Sequence, residues 1–179
     1  MSLPWDDPAV RRSCTDEFRA LVDFARHSRV ETGFGSMGRD GVVAPDTPVE
    51  LWVTCRMTHV FSLADMLGIE GTRELARHGV DSLLGAFHDP RSDGWYSAIA
   101  QHLDQDGHGV PERGTRKEAY AHAFVVLAAS SATAAGIEGA DGLLADALAV
   151  QDRYWWEPGV NRVRESWDLT FTTTEDYRG

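Results

Sequence analysis

Long apolar runs are the first thing missing from this 179-residue sequence. No stretch approaches the roughly 20 consecutive apolar residues that span a bilayer, and the N-terminus has neither the basic nor the apolar region of a secretion signal. These absences predict a chain with no membrane partner and point to the cytoplasm. Positive charge is scarce as well: 17 Lys+Arg against 28 Asp+Glu give a net charge of −11. A surface of that sign repels nucleic-acid phosphates and anionic lipid alike, which argues against nucleic-acid binding. Cysteine occurs only at Cys14 and Cys55, without metal-ligand spacing, and both are expected as small core residues in a reducing compartment. The remainder is ordinary for a folded chain, with 42% hydrophobic residues and a mean hydropathy of −0.32. The length corresponds to one domain, residues 1–179.

Helical periodicity fills most of that domain. Asp7 followed by Pro8 reads as the cap and first position of a helix running to about Arg29. Its apolar stripe of Val10, Cys14, Phe18, Leu21, Val22 and Ala25 is one-sided, which places the helix outside. Thr47-Pro48-Val49-Glu50 has the form of a capping box and opens a second helix to about Leu67, stopped by Gly68. There Trp52, Val53, Met57, Val60, Phe61, Leu63 and Met66 occupy nearly every azimuth, as in a helix enclosed by neighbours. A third helix, about Thr72 to Phe87, is again one-sided. Thr115-Arg116-Lys117-Glu118 forms a second capping box before an all-round apolar helix from Tyr120 to Ala135, and a fifth, amphipathic helix spans about Ala140 to Tyr154. Gly-rich aromatic loops, Gly33-Phe34-Gly35 and Gly94-Trp95-Tyr96, precede the two enclosed helices.

The pattern repeats. Gly68-Ile69-Glu70-Gly71 and Gly136-Ile137-Glu138-Gly139 are one tetrapeptide at an offset of 136 − 68 = 68, and the capping boxes share it, 115 − 47 = 68. Two landmarks at one offset define a repeated unit of outer helix, aromatic loop, inner helix and Gly turn. A third aromatic loop follows at Tyr154, Trp155, Trp156 and Pro158-Gly159. It continues through Val160 to Trp167 with the alternation of a short hairpin, and Thr172-Thr173-Thr174-Glu175 offers cap-like residues for another inner helix. The expected fold is all-α, with about five helices in inner/outer alternation and an apolar edge left open. A fragment is therefore expected, its edge covered by the missing C-terminal half or by a second copy in a homo-oligomer. The alternative is a self-contained five-helix domain whose last loop folds over the edge.

Six separated motifs carry a resemblance. Thr32-Gly33-Phe34-Gly35, then Leu51 to Met57 with His59-Val60-Phe61, Gly94-Trp95-Tyr96, Lys117 to Phe124, Glu165-Ser166-Trp167-Asp168 and Glu175-Asp176-Tyr177-Arg178-Gly179 together resemble the N-acylglucosamine 2-epimerase superfamily. The similarity is strongest to its branch of mannose and sulfoquinovose isomerases. The resemblance implies an (α/α)6 barrel of which this chain is the N-terminal portion. It also implies a cofactor-independent sugar isomerisation, and proton-transferring histidines that lie beyond Gly179. A chain without them is expected to turn over slowly or not at all.

Aldose–ketose isomerisation needs a base to take the proton beside a carbonyl, an acid to return one to the neighbouring carbon, and donors for the enediolate oxygen. Arg56 is the best local candidate for the donor, because a guanidinium on an apolar inner helix is costly unless it faces a polar cavity or a partner. By resemblance it matches a substrate-binding arginine; the competing reading is a buried pair with a carboxylate such as Glu50. Tyr120 resembles a family tyrosine that contacts sugar hydroxyls, with a core aromatic as the competing reading. Trp52, Trp95 and Trp167 are candidates to stack on a sugar ring. His122 completes the substrate-binding set, although it points roughly 200° around the helix from Tyr120 and a satisfied core histidine competes. His59 shares the Arg56 face, while His88, His102 and His108 fall in loops and are expected to face solvent. No metal cluster is spaced among them, and neither metal nor cofactor is expected.

The substrate is thus expected to be a monosaccharide, mannose-like. Sugar 2-epimerisation is the near alternative, and a non-catalytic sugar-binding or interaction module is the alternative from another class. Glu165 and Asp168 add a further reading, a glycosidase carboxylate pair, whose separation the sequence does not give.

Overall fold

The computed structural model describes residues 6–174. Helix α1 (Pro8–Ala25) begins as its sequence dictates, with Asp7 accepting the Ala9 N–H at 2.8 Å and Pro8 in the first turn. A 3-10 turn, Arg26–Ser28, leads to a tight hairpin of β1 (Arg29–Val30) and β2 (Gly33–Phe34). Strand β3 (Val49–Glu50) runs straight into α2 (Leu51–Met66), and α3 (Thr72–Leu84) follows. A second hairpin, β4 (Ala98–Leu103) and β5 (Gly109–Pro111), precedes β6 (Lys117–Glu118), α4 (Ala119–Ala134) and α5 (Ala140–Val150). A π-helical turn, Gln151–Trp155, then a hairpin of β7 (Trp156–Glu157) and β8 (Arg162–Val163), and finally β9 (Ser166–Trp167) complete the described chain.

The layering follows the hydrophobic patterns. Helices α2 and α4 pack side by side, α3 lies against both of them, and α5 packs on α4 and α3. Alanines at 121, 128, 129 and 132 form much of the buried face of α4, which lets its backbone approach its neighbours closely. The 68-residue offset is geometric as well: both inner helices start and end at equivalent positions. Each is followed by a turn whose glycines, Gly68 and Gly71 or Gly136 and Gly139, have φ between 66° and 80°. Within those turns the Ile69 N–H returns to the Ala64 carbonyl at 3.0 Å and the Ile137 N–H to Ala132 at 2.9 Å.

Three expectations are corrected. Neither capping box forms, because the loops entering the inner helices pair with other loops. Val49 and Glu50 sit opposite Ile99 and Ala98, and Lys117 and Glu118 opposite Trp167 and Ser166. Carbonyls therefore take the first helical amides, Leu51 N–H donating to Ser97 at 3.0 Å and Ala119 N–H to Glu165 at 2.9 Å. The Thr47 hydroxyl donates to Ala44 O, and the Thr115 hydroxyl accepts from Ala98 N–H. Second, Cys14 is exposed, since α1 buries only Val22 and Ala25 near its C-terminal end; Cys55 is buried, and burial pushes its thiol pKa up. Third, His102, expected in a loop, lies in β4, which with β5 joins β3 in a three-stranded sheet. The expected cap at Thr172 to Glu175 falls partly, and the Tyr177-Arg178-Gly179 motif wholly, outside the described residues.

The structure is thus mostly helical and built in two layers, and a closed ring is not present in it. Among the described residues no helix is long and apolar enough to cross a membrane.

Candidate functional site

The paired strands all gather where the inner helices begin, so the loops make a rim at that end and the short Gly turns lie at the other. Just inside the rim, Trp52 and Arg56 stand one turn apart on α2, and Tyr120 and Phe124 one turn apart on α4. At the 68-residue offset these are the same two helical positions, so the repeat itself brings the four side chains together. The Arg56 guanidinium donates through Nη2 to the Tyr120 hydroxyl oxygen at 2.9 Å. Its carbon lies 4.8 Å from the Trp52 ring centroid and 4.6 Å from that of Phe124, within cation–π range. Tyr120 is 54% exposed and meets Phe124 edge-on at 5.0 Å. Arg56 is exposed too. Its contacts among the described residues are aromatic and phenolic, so the alternative of a buried pair with Glu50 does not hold. One turn deeper, half-buried His59 bonds through Nδ1 to the Ser131 hydroxyl at 2.6 Å, and burial holds its pKa below the ordinary histidine value.

His122 is not part of this patch. It is 1% exposed, and both ring nitrogens are engaged. Nδ1 lies 2.8 Å from the Glu118 carbonyl and must donate, while Nε2 accepts the Trp95 backbone N–H at 3.1 Å. Burial, the largest cause, lowers its pKa to about 3, and the nearby Lys117 charge works in the same direction. The ring is therefore a neutral latch. Thr54, the equivalent fourth residue of α2, does the same work: its hydroxyl accepts the Phe34 N–H at 3.1 Å. Each latch needs a glycine just before the aromatic residue. A Cβ on Gly33 would sit 2.7 Å from Thr54 Oγ1, and one on Gly94 would sit 3.0 Å from His122 Nε2 and 2.9 Å from Phe171.

The other candidates are structural in their contacts. Trp95 is buried and donates through Nε1 to Leu83 O at 2.8 Å, and half-buried Trp167 donates to Tyr154 O at 3.0 Å; of the three tryptophans only Trp52 lines the patch. The Asp168 carboxylate accepts from the backbone N–H groups of Thr170, Thr172 and Thr173 and from the hydroxyls of Thr170 and Thr172. Hydrogen bonds from Thr172 lead the causes that hold its pKa far below the usual carboxylate range. A carboxylate so bound is a loop brace and a poor proton donor near neutral pH, which weakens the glycosidase reading.

The most deeply buried charge lies outside the candidate site residues that the sequence offers. Lys117 is the chain's only lysine and is 0% exposed. Its ammonium donates to Asp89 Oδ2 at 2.8 Å and to the carbonyls of Asp93 and Leu169, and it lies 4.3 Å from the centroid of the Phe171 ring. Burial lowers the lysine pKa against the opposing pull of Asp89. For Asp89, burial raises the pKa, but hydrogen bonds from Lys117 and the Arg91 N–H outweigh it and leave the carboxyl below its usual range. Tyr96 also bonds Asp89, and burial together with that carboxylate pushes the phenol up to about 12. A lone lysine amid arginines, three residues before Tyr120, was the signal available.

The fold is one that solved (α/α)6 barrels share. Over 100% of this chain and 44% of the other, it superposes on a crystal structure of D-mannose isomerase with a TM-score of 0.79 at 20% identity. Cellobiose 2-epimerase from Spirochaeta thermophila DSM 6192 gives a TM-score of 0.76 at 21% identity, over 94% of this chain and 42% of that one. The family model for N-acylglucosamine 2-epimerase (GlcNAc 2-epimerase) matches residues 33–179, and the chain belongs to that family. It is 45% identical over 177 residues to the D-mannose isomerase of Thermobifida fusca, covering 98% of this chain and 42% of that protein. It is 37% identical over 172 residues to the D-mannose isomerase of Pseudomonas cannabina pv. alisalensis, covering 96% of this chain and 39% of that protein. The chain thus spans about two-fifths of the length of these relatives.

Proposed function

We propose that this chain is the N-terminal portion of an (α/α)6-barrel sugar isomerase that converts a mannose-like aldose to its ketose through an enediolate. The observation that carries the reading is the exposed Arg56–Tyr120 pair beside Trp52 on the inner face, in a chain 45% identical to a D-mannose isomerase. In this reading Arg56 presents its planar fork to the sugar oxygen on which enediolate charge develops. Tyr120 holds a neighbouring hydroxyl, and Trp52 offers an apolar face to the ring. The donor is strongest where charge appears only in the transition state. Proton transfer between the two carbons belongs to histidines of the C-terminal portion, beyond residue 179, as the family resemblance implies. The names of the two relatives at 45% and 37% identity favour isomerisation over 2-epimerisation.

The test is direct. Protein expressed from the full reading frame is incubated with D-mannose and the products are read by NMR. The ketose is the expected product, the 2-epimer would select the epimerase alternative, and no turnover of mannose or related aldoses would overturn the reading. Arg56→Ala in the same protein is expected to lower kcat/KM by about 100- to 1,000-fold. Its urea midpoint should hardly move, because an exposed arginine contributes no more than about 1 kcal/mol to stability.

A further inference from the structure

Lys117 stands at the junction of three loops. It lies on β6, three residues before Tyr120. Asp89 and Asp93 belong to the loop after α3, and Leu169 to the loop after β9. Each of these loops is already braced internally. Asp89 takes the backbone N–H groups of Arg91 and Ser92 at 3.0 and 3.3 Å, and Asp168 takes five donors from its own loop. Phe171 is held at φ 56°, an unfavourable conformation for a bulky residue, with its ring stacked on Tyr154 at 3.7 Å. One ammonium therefore references rigid pieces to a single atom. A buried ion pair by itself is often no more stabilising than well-packed apolar residues of similar volume. What the cation adds is direction: it fixes the lead-in to α4, and with it the place at which Tyr120 meets Arg56.

We propose that Lys117, through its clasp on Asp89, Asp93 and Leu169, is a positioning residue of the sugar site. The proposal rests on the reading that Arg56, Tyr120 and Trp52 hold the sugar.

The decisive variant is Asp89→Leu with Lys117→Met, which removes both charges and keeps one side chain branched and the other linear, made in the protein expressed from its full reading frame. Its urea midpoint is expected to fall, since the Arg91 and Ser92 amides and the Asp93 and Leu169 carbonyls lose their partners, and in the folded protein kcat/KM on D-mannose falls by about 10- to 100-fold, with most of the loss in KM. A folded double variant with kcat/KM within about twofold of the parent overturns the proposal, because the clasp would then be structural only. If the double variant does not fold, Asp89→Asn decides, since it leaves Lys117 its two carbonyls. There an amine-reactive reagent, read at Lys117 by mass spectrometry, should label faster as KM rises; unchanged labelling with unchanged KM overturns the proposal. If the parent turns over no aldose, the sugar reading fails separately. Amide exchange at residues 119–122 and 168–173 then decides whether the clasp sets the start of α4, and unchanged protection in either variant counts against it.

Discussion

Two residues near the starts of the inner helices show how context sets the use of a polar side chain. Arg56 remains at the surface, held by Tyr120 and two ring faces, whereas His122 is sealed in the core with both nitrogens bonded. The cost of sealing appears in the pH dependence of stability. The folded-state pKa of about 3 for His122 lies below the ordinary value near 6.5, so between those values the unfolded chain binds more protons. Stability from His122 is complete above pH 6.5 and falls with decreasing pH by up to about 1.4 kcal/mol per pH unit. Half-buried His59 and His78 shift in the same direction, so the contribution of His122 is read by difference. Urea midpoints measured from pH 7 to pH 4.5 should fall less steeply in His122→Gln than in the parent. Equal slopes would show that the ring is not carried neutral in the fold.

At the scale of elements, the inner helices are set by their loops as much as by their own sequences. Thr54 and His122 each receive the backbone N–H of an aromatic residue from a preceding loop, across separations of 20 and 27 residues. Gly94 makes the second latch possible, with φ 69° and no room for a Cβ between Phe171 and His122. Gly136, with φ 66°, has nothing within 4 Å of such a Cβ. Gly136→Ala is therefore expected to cost about 1 kcal/mol, the left-handed backbone penalty alone. Gly94→Ala should cost about 2–4 kcal/mol through added steric conflict and a displaced latch. Chemical denaturation of both variants checks the ranking, and equal losses would remove the latch from the account. The two capping boxes belong here too: their residues were visible, but the bonds that replaced them come from partners far along the chain.

Across the whole molecule, the inner face left open carries apolar side chains below the Arg56 patch. Leu63, Met66 and Leu67 are exposed, Leu67 at 68%, and together with Phe18 they line an apolar groove between α1 and the end of α2. A contiguous apolar surface of this kind associates in water. The 179-residue chain alone is expected to sediment with concentration-dependent mass. Leu63→Glu with Leu67→Glu should shift it towards monomer at an unchanged urea midpoint, and a clean monomer at every concentration would contradict this. The same face is the one that the proposed C-terminal portion of the barrel would cover.

Hydrophobic period, glycine turns and a 68-residue repeat determined the helices, their order and their inner or outer rank, because those signals are carried by residues within a few positions of one another. They also placed Trp52, Arg56 and Tyr120 on the first two turns of the inner helices. Tertiary structure decided the rest: that Arg56 meets Tyr120 across 64 residues, that Lys117 finds Asp89 across 28, and that Trp95 and His122 turn into the core. A polar group takes the partner that packing brings within about 3 Å, and that partner depends on how loops cross between units, which no local spacing encodes.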